Sequence, residues 1–346
     1  MKAMIYRGPG ILEPGRIDRP VINDPKDAIV RVTLCSICTS DLHIRAGAVP
    51  RAMPGIAVGH EFVGIVESVG DEVRNVKKGD RVAVNCETYC GKCFFCRRGW
   101  VNNCTDPAGG WSLGCRIDGG QAEMARIPFA DNCLTPIPDT VSDETALLTG
   151  DLLSTGYWAA DIGSVGEGDA VAIAGAGPTG LCCAMMSRAR GAETIVLIDP
   201  DRQRLSFALD HGYGDIAIDP TTDDSATTIK NLTEGRGADV VIEAAGGEDS
   251  FRTAWTVARP NAVVVVVAMY ERNQILPLPE MYGKNLVFKT GGVDGSHCSE
   301  IMKMIENGEI DATPLLTHTF QFDNIENAYR LFSERRDGVM KIAIKM

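Results

Sequence analysis

Up to about residue 135 the apolar positions fall in short β-branched runs broken by glycine and proline, as in AIVRVTL, FVGIVESVG and RVAVN. Such a pattern predicts a largely antiparallel β domain with few helices. From about residue 165 the pattern alternates. Strand DAVAIAG precedes a helix over 178–190, ETIVLID a helix over 202–211, and ADVVIEAAG a helix near 251–258, after which AVVVVVAM supplies another strand. Continuous apolar strands separated by helices predict a doubly wound parallel sheet, α/β in class and buried on both faces. After a further strand near 286–291, a helical stretch over 300–307 and the β-like pieces THTFQF and MKIAIKM return to the earlier mixed character. The tail is therefore expected to rejoin the first domain, giving one domain of residues 1–150 with 291–346 and a second of 151–290.

The chain has 346 residues, more than one ordinary core accommodates. Its 45% hydrophobic and 23% charged residues are the balance of a soluble globular protein. With 46 acidic against 34 basic side chains the net charge is −12, so no broad basic surface is available for nucleic acid or anionic membrane. The start, MKAMIYRGPG, lacks the apolar run of a secretion signal, and the most apolar stretch, 262–269, is too short to span a bilayer. A cytoplasmic protein is expected. In a reducing compartment the 12 cysteines read as metal ligands and free thiols rather than disulfides.

Four of them, Cys90, Cys93, Cys96 and Cys104, stand in CGKCFFCRRGWVNNC within a lobe spanning 86–105. A redox pair is usually a single CxxC, and the spacing differs from the common ferredoxin runs, so a tetrahedral structural zinc is the expected content. An ion wrapped by four thiolates has no position left for a substrate, which makes the lobe a clamp. Its few apolar residues, Phe94, Phe95, Trp100 and Val101, leave it dependent on that staple.

In the alternating half, GAGPTG follows a strand and opens a helix, placing Gly175, Gly177 and Gly180 on the GxGxxG template with Pro178 and Thr179 between them. Glycines there let the backbone approach a pyrophosphate, and the amides of the helix N-terminus stabilise its charge. Asp199 ends the next strand, placed to accept hydrogen bonds from the adenosine ribose hydroxyls and to repel a 2′-phosphate. NAD(H) is expected over NADP(H), with Arg202 and Arg204 as nearby positive charge that softens the preference. A bare glycine cluster at a strand-helix turn is the plainer reading, which the strand, helix and acid together disfavour.

Chemistry must come from elsewhere than the lobe. CTSDLH, GHE and GDLLSTG carry Cys38, His60 and Asp151, which offer sulfur, nitrogen and oxygen donors and leave a fourth position open on a bound cation. Taken singly, Cys38 reads as a small buried residue, His60 as a satisfied histidine and Asp151 as a helix N-cap.

Together with GHEFVGIVESVGDEV, which fits GHExxGxxxxxG through Gly59, His60, Glu61, Gly64 and Gly70, the cysteine lobe and GxGPxG follow in the order of a known family. The chain resembles, over essentially its whole length, the zinc-dependent alcohol dehydrogenases of the medium-chain dehydrogenase/reductase superfamily. The resemblance implies a GroES-like catalytic domain and a Rossmann domain. It also implies a catalytic zinc held by Cys38, His60 and Asp151, with Glu61 beside the metal, able to join or leave its shell, and Asp41 supporting His60 from behind. Many members carry Cys or Glu where Asp151 stands. Asp is similar to bacterial secondary-alcohol and glutathione-independent formaldehyde dehydrogenase branches, so the subfamily stays open.

On this resemblance Ser40 touches the substrate oxygen and His43 relays its proton to solvent; the plainer reading of the two is a solvent-exposed pair. Thr155 and Thr179 would lie near the nicotinamide half, Arg204 at the adenosine ribose, and the backbone of Ala244, Ala268 and Met269 along strand ends, where strand packing is the alternative. Cys86, Met269 and Trp111 would line the substrate pocket. Cys182 and Cys183 read as helix packing, Cys35, Cys115, Cys133 and Cys298 show no ligand spacing, and His211, His297 and His318 are taken as structural. The expected activity is hydride transfer between NAD(H) and a small-molecule alcohol/carbonyl pair, whether secondary alcohol, diol, polyol or aldehyde. Two Zn2+ per chain and a homodimer or homotetramer are implied. Rival readings are an aldehyde dismutase with tightly bound NAD and a catalytically inactive nucleotide-binding relative.

Overall fold

The computed structural model describes residues 1–346, which form two units: Met1–Ser154 with Asp294–Met346, and Thr155–Val293. In the first unit, strand Ala28–Ser36 lies near the middle of a seven-stranded sheet. It pairs antiparallel with Phe62–Val69, which continues to Arg81–Val84 and Leu134–Pro136; Met124–Ile127 also pairs with it. On its other side stand Lys341–Lys345, antiparallel, and then Leu316–Gln321, parallel to that strand. The β-like tail thus completes the first sheet. Val30, Val66, Val82, Ile342 and Ile344 fill the core, and helix Ile325–Glu334 packs onto it through Ile325, Ala328 and Tyr329. The apolar pattern of the opening residues also forms a separate hairpin, Lys2–Gly8 with Ile11–Arg16.

In the second unit six strands are all parallel. Their spatial order is Ile216–Ile218, Thr194–Ile198, Ala170–Ala174, Ala238–Glu243, Ala258–Val266 and Val287–Thr290. Numbered along the chain this order is 3-2-1-4-5-6, the arrangement of a dinucleotide-binding sheet, with its switch point between the strands ending at Ala174 and Glu243. Ala172, Val196, Val241 and Val264 are buried, as strands covered on both faces require.

The division between units falls a few residues later than the pattern suggests, at 154/155 and 293/294. The cause is local hydrogen bonding. The amide of Cys86 donates to the Gly150 carbonyl at 3.1 Å, and a Cβ on Gly150 would stand 1.9 Å from the Val84 carbonyl, so the turn carrying Asp151 is sewn to the first sheet. Asn85 Nδ2 bonds the Gly295 carbonyl, and the Asn102 amide donates to Asp294 Oδ1 at 3.0 Å, drawing the second crossing in as well. No helix is long and apolar enough to cross a membrane.

Candidate functional site

Three short pieces of the first unit bring their side chains together. Cys38 is the N-cap of helix Thr39–Ala46, where Asp41 Oδ2 accepts the Cys38 amide at 3.0 Å. His60 sits in the loop that enters strand Phe62–Val69. Gly59 before it has φ +93, and a Cβ there would lie 2.6 Å from Gln121 Cγ. Only glycine takes that turn against Gln121 without strain. Asp151 lies in a π-helical turn, Thr149–Leu153, closed by the Leu153 amide bonding the Leu148 carbonyl at 2.9 Å. Such wide turns recur at functional sites because they swing a side chain out of helical register.

Ligand atoms of Cys38, His60 and Asp151 all lie within 4.8 Å of one another. His60 Nε2 is 3.3 Å, and Cys38 Sγ 3.8 Å, from Asp151 Oδ2. Zinc with its usual bond lengths at a tetrahedral angle would set those separations at about 3.4 and 3.6 Å, so the donor set fits such an ion without rearrangement. Burial works against charge on both side chains, yet the hydrogen bond to Asp151 holds the His60 imidazole well above its usual pKa, and its counterpart to His60 holds the Asp151 carboxyl down. A divalent cation bound at the meeting point of the three donors would displace any proton held there.

Asp41 stands behind His60, Oδ1 to Nδ1 at 3.8 Å, too long for a hydrogen bond. It is fully buried and takes Gln121 Nε2 at 3.0 Å, while Gln121 Oε1 accepts from Tyr329 at 2.7 Å. Asp41 thereby fixes the Cys38 turn, and contrary to expectation it makes no hydrogen bond to the His60 imidazole. Ser40 Oγ is 3.6 Å from Cys38 Sγ, and His43 follows three residues on, hence on the same helix face. Cys86 is buried with its thiol hydrogen-bonded to Asp151, and the Trp111 ring meets His60 edge-on at 5.6 Å.

Glu61 is not among the three converging groups. It is fully buried, and its Oε2 accepts from both Ser36 Oγ and the ammonium of Lys341, which also donates to the Ile37 carbonyl at 2.9 Å. Lys341, 2% exposed, is a charged participant that no motif announced.

The sulfurs of Cys90, Cys93, Cys96 and Cys104 likewise lie within 4.8 Å of one another, with Cys93–Cys96 at 3.4 Å and Cys90–Cys96 at 4.0 Å. Tetrahedral zinc-thiolate geometry asks for about 3.8 Å. Amides point at the sulfurs: Cys90 N at Cys104 Sγ, 3.4 Å, and Cys96 N at Cys93 Sγ, 3.5 Å. The latter bond draws the Cys93 thiol down to about 5. All 12 cysteines are free.

In the second unit Gly175, at φ +112, turns the chain at the end of Ala170–Ala174, and a Cβ on Gly180 would lie 1.9 Å from the Gly175 carbonyl. Gly177 caps helix Pro178–Ala189, which begins Pro178, Thr179. At the switch point Ala244 follows the strand that ends at Glu243, and a Cβ on Gly175 would stand 3.1 Å from the Ala244 carbonyl carbon. Asp199 is buried, its Oδ2 accepting the Ala176 amide at 2.7 Å and Oδ1 the Asp201 amide at 2.8 Å. The carboxylate thus pins the glycine loop, with one lone pair per oxygen left over for ligand hydroxyls. Arg204 Nη1 would stand 3.2 Å from a Cβ on Gly177, so its guanidinium lies over the loop. Glu243, also fully buried, anchors the neighbouring turn by accepting the amides of Ala245 and Gly246, each at 2.9 Å, and sequence reading missed it. Ala268 and Met269 follow strand Ala258–Val266, and Thr155 opens helix Ser154–Gly163.

Two family models match the chain in turn. Residues 24–139 match the alcohol dehydrogenase GroES-like domain, and residues 178–307 the zinc-binding dehydrogenase domain. An alcohol dehydrogenase of Cupriavidus necator is 35% identical over all of this chain and 98% of its own. The NADP-dependent isopropanol dehydrogenase of Thermoanaerobacter brockii is 31% identical over 92% of each chain. Among solved structures, the apo form of zinc-dependent alcohol dehydrogenase 2 from Streptococcus pneumonia superposes with TM-score 0.93 at 37% identity, over 100% of this chain and 98% of that one.

Proposed function

This chain belongs to the zinc-dependent alcohol dehydrogenase family of oxidoreductases, and on that premise we propose that it transfers hydride between NAD(H) and a small alcohol/carbonyl pair. The observation that carries the reading is the convergence of a thiol, an imidazole and a carboxylate, His60 Nε2 and Asp151 Oδ2 only 3.3 Å apart. Cys38, His60 and Asp151 would hold the catalytic ion, and Cys90, Cys93, Cys96 and Cys104 a second, structural one. When bound, the cation supplies Lewis acidity toward an alcohol or carbonyl oxygen, and the dinucleotide supplies a hydride acceptor or donor.

The chain does the rest. A thiolate and a carboxylate together balance a divalent charge, while neutral His60 keeps the site electrophilic. Ser40 Oγ, beside Cys38 Sγ, takes the proton of the substrate hydroxyl, and His43 passes it on. Buried Cys86 and the Trp111 ring exclude water from the donors. Glu61, fastened to Lys341 and Ser36 through Oε2, stands beside the site with its buried Oε1 making no hydrogen bond, and could join or leave a metal's shell through that oxygen without releasing either partner. The Gly175–Gly180 turn and the amides opening helix Pro178–Ala189 cradle the pyrophosphate, and Thr155, Thr179, Ala244, Ala268 and Met269 lie along the remaining cofactor path.

An absorbance assay for NADH over a panel of alcohols and carbonyls, with zinc counted per chain, tests this. Turnover with two zincs is expected. Turnover of aldehyde without added NAD would replace the reading by a dismutase; one zinc and no turnover would leave a nucleotide-binding protein without catalysis.

Preference for NAD rests on Asp199. Asp199→Asn is expected to raise kcat/KM for NADP relative to NAD by about tenfold or more, because the charge facing a 2′-phosphate is removed while Arg204 remains. Unchanged ratios in a steady-state assay would place cofactor choice elsewhere.

The lobe is a clamp. Cys104→Ser should lose one zinc per chain and, for an ion present at a thousand times its dissociation constant, about 4 kcal/mol of stability. Thermal unfolding with and without chelator measures this; an unshifted transition would refute it. Self-association is supported by Ile275, Leu276, Leu278, Tyr282 and Val287, all exposed on the segment entering the edge strand Val287–Thr290.

A further inference from the structure

Besides Asp41 Oδ1, His60 Nδ1 and Glu61 Oε1, which belong to the donor cluster and its support, the buried polar atoms that make no hydrogen bond include Glu87 Oε2 and Trp111 Nε1. Their placement is fixed by backbone. Thr88 and Gly110 exchange two hydrogen bonds, Thr88 N to Gly110 O at 3.2 Å and Gly110 N to Thr88 O at 2.7 Å, in an antiparallel bridge. The next residues outward, Glu87 and Trp111, are therefore direct neighbours on one face of that bridge. The Glu87 amide is held by Asn85 Oδ1 at 3.0 Å, and Asn85 is in turn tied to Gly295, so the strand cannot drift. Both residues border the site: Trp111 meets His60 at 5.6 Å, and Glu87 follows Cys86, whose thiol bonds Asp151. Burial pushes the Glu87 carboxyl well above its usual range, against the pull of Arg51 and with the push of Asp151, so that the charges of the site bear on it directly. Arg51 also lies 5.2 Å from the Trp111 ring centroid.

A buried carboxyl oxygen and a buried indole N–H each seek a partner, the indole an acceptor and the carboxyl a group that can meet it with or without its proton. A hydroxyl is the small neutral group that accepts from the indole and meets the carboxyl whether or not it holds its proton, whereas an ammonium lacks the lone pair the indole needs. We propose that Glu87 and Trp111 bind a second hydroxyl of the substrate, making this chain a diol or polyol dehydrogenase that discriminates against simple monoalcohols. The inference deepens the reading given under Proposed function and rests on it for the reaction, not for the binding.

The test compares pairs that differ by one hydroxyl: propane-1,2-diol with propan-2-ol, and butane-1,3-diol with butan-2-ol, covering two spacings. In the zinc-loaded enzyme the kcat/KM ratio of diol to monoalcohol is expected to reach about 100-fold or more for one pair, since a site built around a hydroxyl rejects the analogue that leaves its groups unpaired. Glu87→Leu collapses that ratio at least tenfold, chiefly through KM; Glu87→Gln, which still hydrogen-bonds, retains part of it and guards against misfolding as the cause. A second readout needs no turnover: the tryptophan fluorescence change on titrating the diol, taken against Trp111→Phe, is present in the wild type and absent in Glu87→Leu. Monoalcohol oxidation with a ratio near one, or a ratio indifferent to Glu87→Leu, overturns the inference and leaves the dehydrogenase standing. Diol binding through Glu87 with no oxidation of any alcohol overturns the dehydrogenase and upholds the pocket.

Discussion

In His60→Ala, kcat/KM for alcohol oxidation is expected to fall by about a thousandfold or more while NADH still binds. The imidazole supplies one of only three converging donors, is 3% exposed, and has its ring held between Asp151, Asp41 and Trp111. Loss of residues that merely orient metal ligands costs about 10–100-fold in affinity or activity, so loss of a donor must cost more. Lewis acidity is worth several kcal/mol at the developing charge, each 1.36 kcal/mol being about tenfold in rate. The cofactor cradle belongs to the other unit, with its own glycine turn and Asp199, and calorimetric titration with NADH should leave it intact. Zinc should drop from two to one per chain. A variant that kept two zincs and ordinary turnover would show that the three side chains meet for some other reason.

Lys341→Met is expected to cost about 3–5 kcal/mol, the usual penalty for stranding one member of a buried ion pair. In a domain of 150–250 residues that corresponds to a fall in Tm of roughly 6–20 °C. Glu61 has no exposure, and the Lys341 side chain has 2%. Burial raises the carboxyl against the pull of the ammonium; it also works to lower the ammonium, which the charge of Glu61 nevertheless keeps well above its usual value. Neither can turn to water. Lys2–Asp323 is the control: with 48% and 74% of those side chains exposed, Lys2→Met should cost no more than about 1 kcal/mol. Restoring neutrality with Glu61→Gln in the Lys341→Met background should recover much of the loss. Calorimetry showing the double variant no better than the sum of the singles would mean that Lys341 stabilises by packing alone.

Local signals were legible in the sequence and remote ones were not, and individual residues show the reason. The glycines of 175–180 work against their immediate neighbours, Gly180 against Gly175 itself, and the four lobe cysteines lie within fifteen residues, so spacing alone announces both. Cys38 and Asp151 are 113 residues apart and each has an ordinary reading; only resemblance joins them. Lys341 looks like a surface lysine in a β tail, because nothing nearby says that its strand enters the sheet beside Ala28–Ser36. The Thr39–Ala46 helix gives no comparable signal, because its eight residues, TSDLHIRA, bury only Asp41 and Ile44 and show no apolar stripe. Asp199 was read as a ribose acceptor, and the structure adds a second task, holding the Ala176 amide, which no motif encodes. Glu87 and Trp111 become neighbours only through the Thr88–Gly110 bridge.

The strand that carries Lys341 also sets a timetable for biosynthesis. Glu61 and its counterion are 280 residues apart, and a ribosome adding 5–20 residues per second needs on the order of 15–60 s between them. During that interval Leu34–Ser36, the end of strand Ala28–Ser36, lacks its partner on one edge, Met124–Ile127 covering only Ala28–Arg31, while Thr155–Val293, continuous in sequence, can already fold. The emerging polypeptide is thus most exposed to misassociation on its earliest-made sheet, and a chaperone that shields an open strand edge would serve this chain before release rather than after.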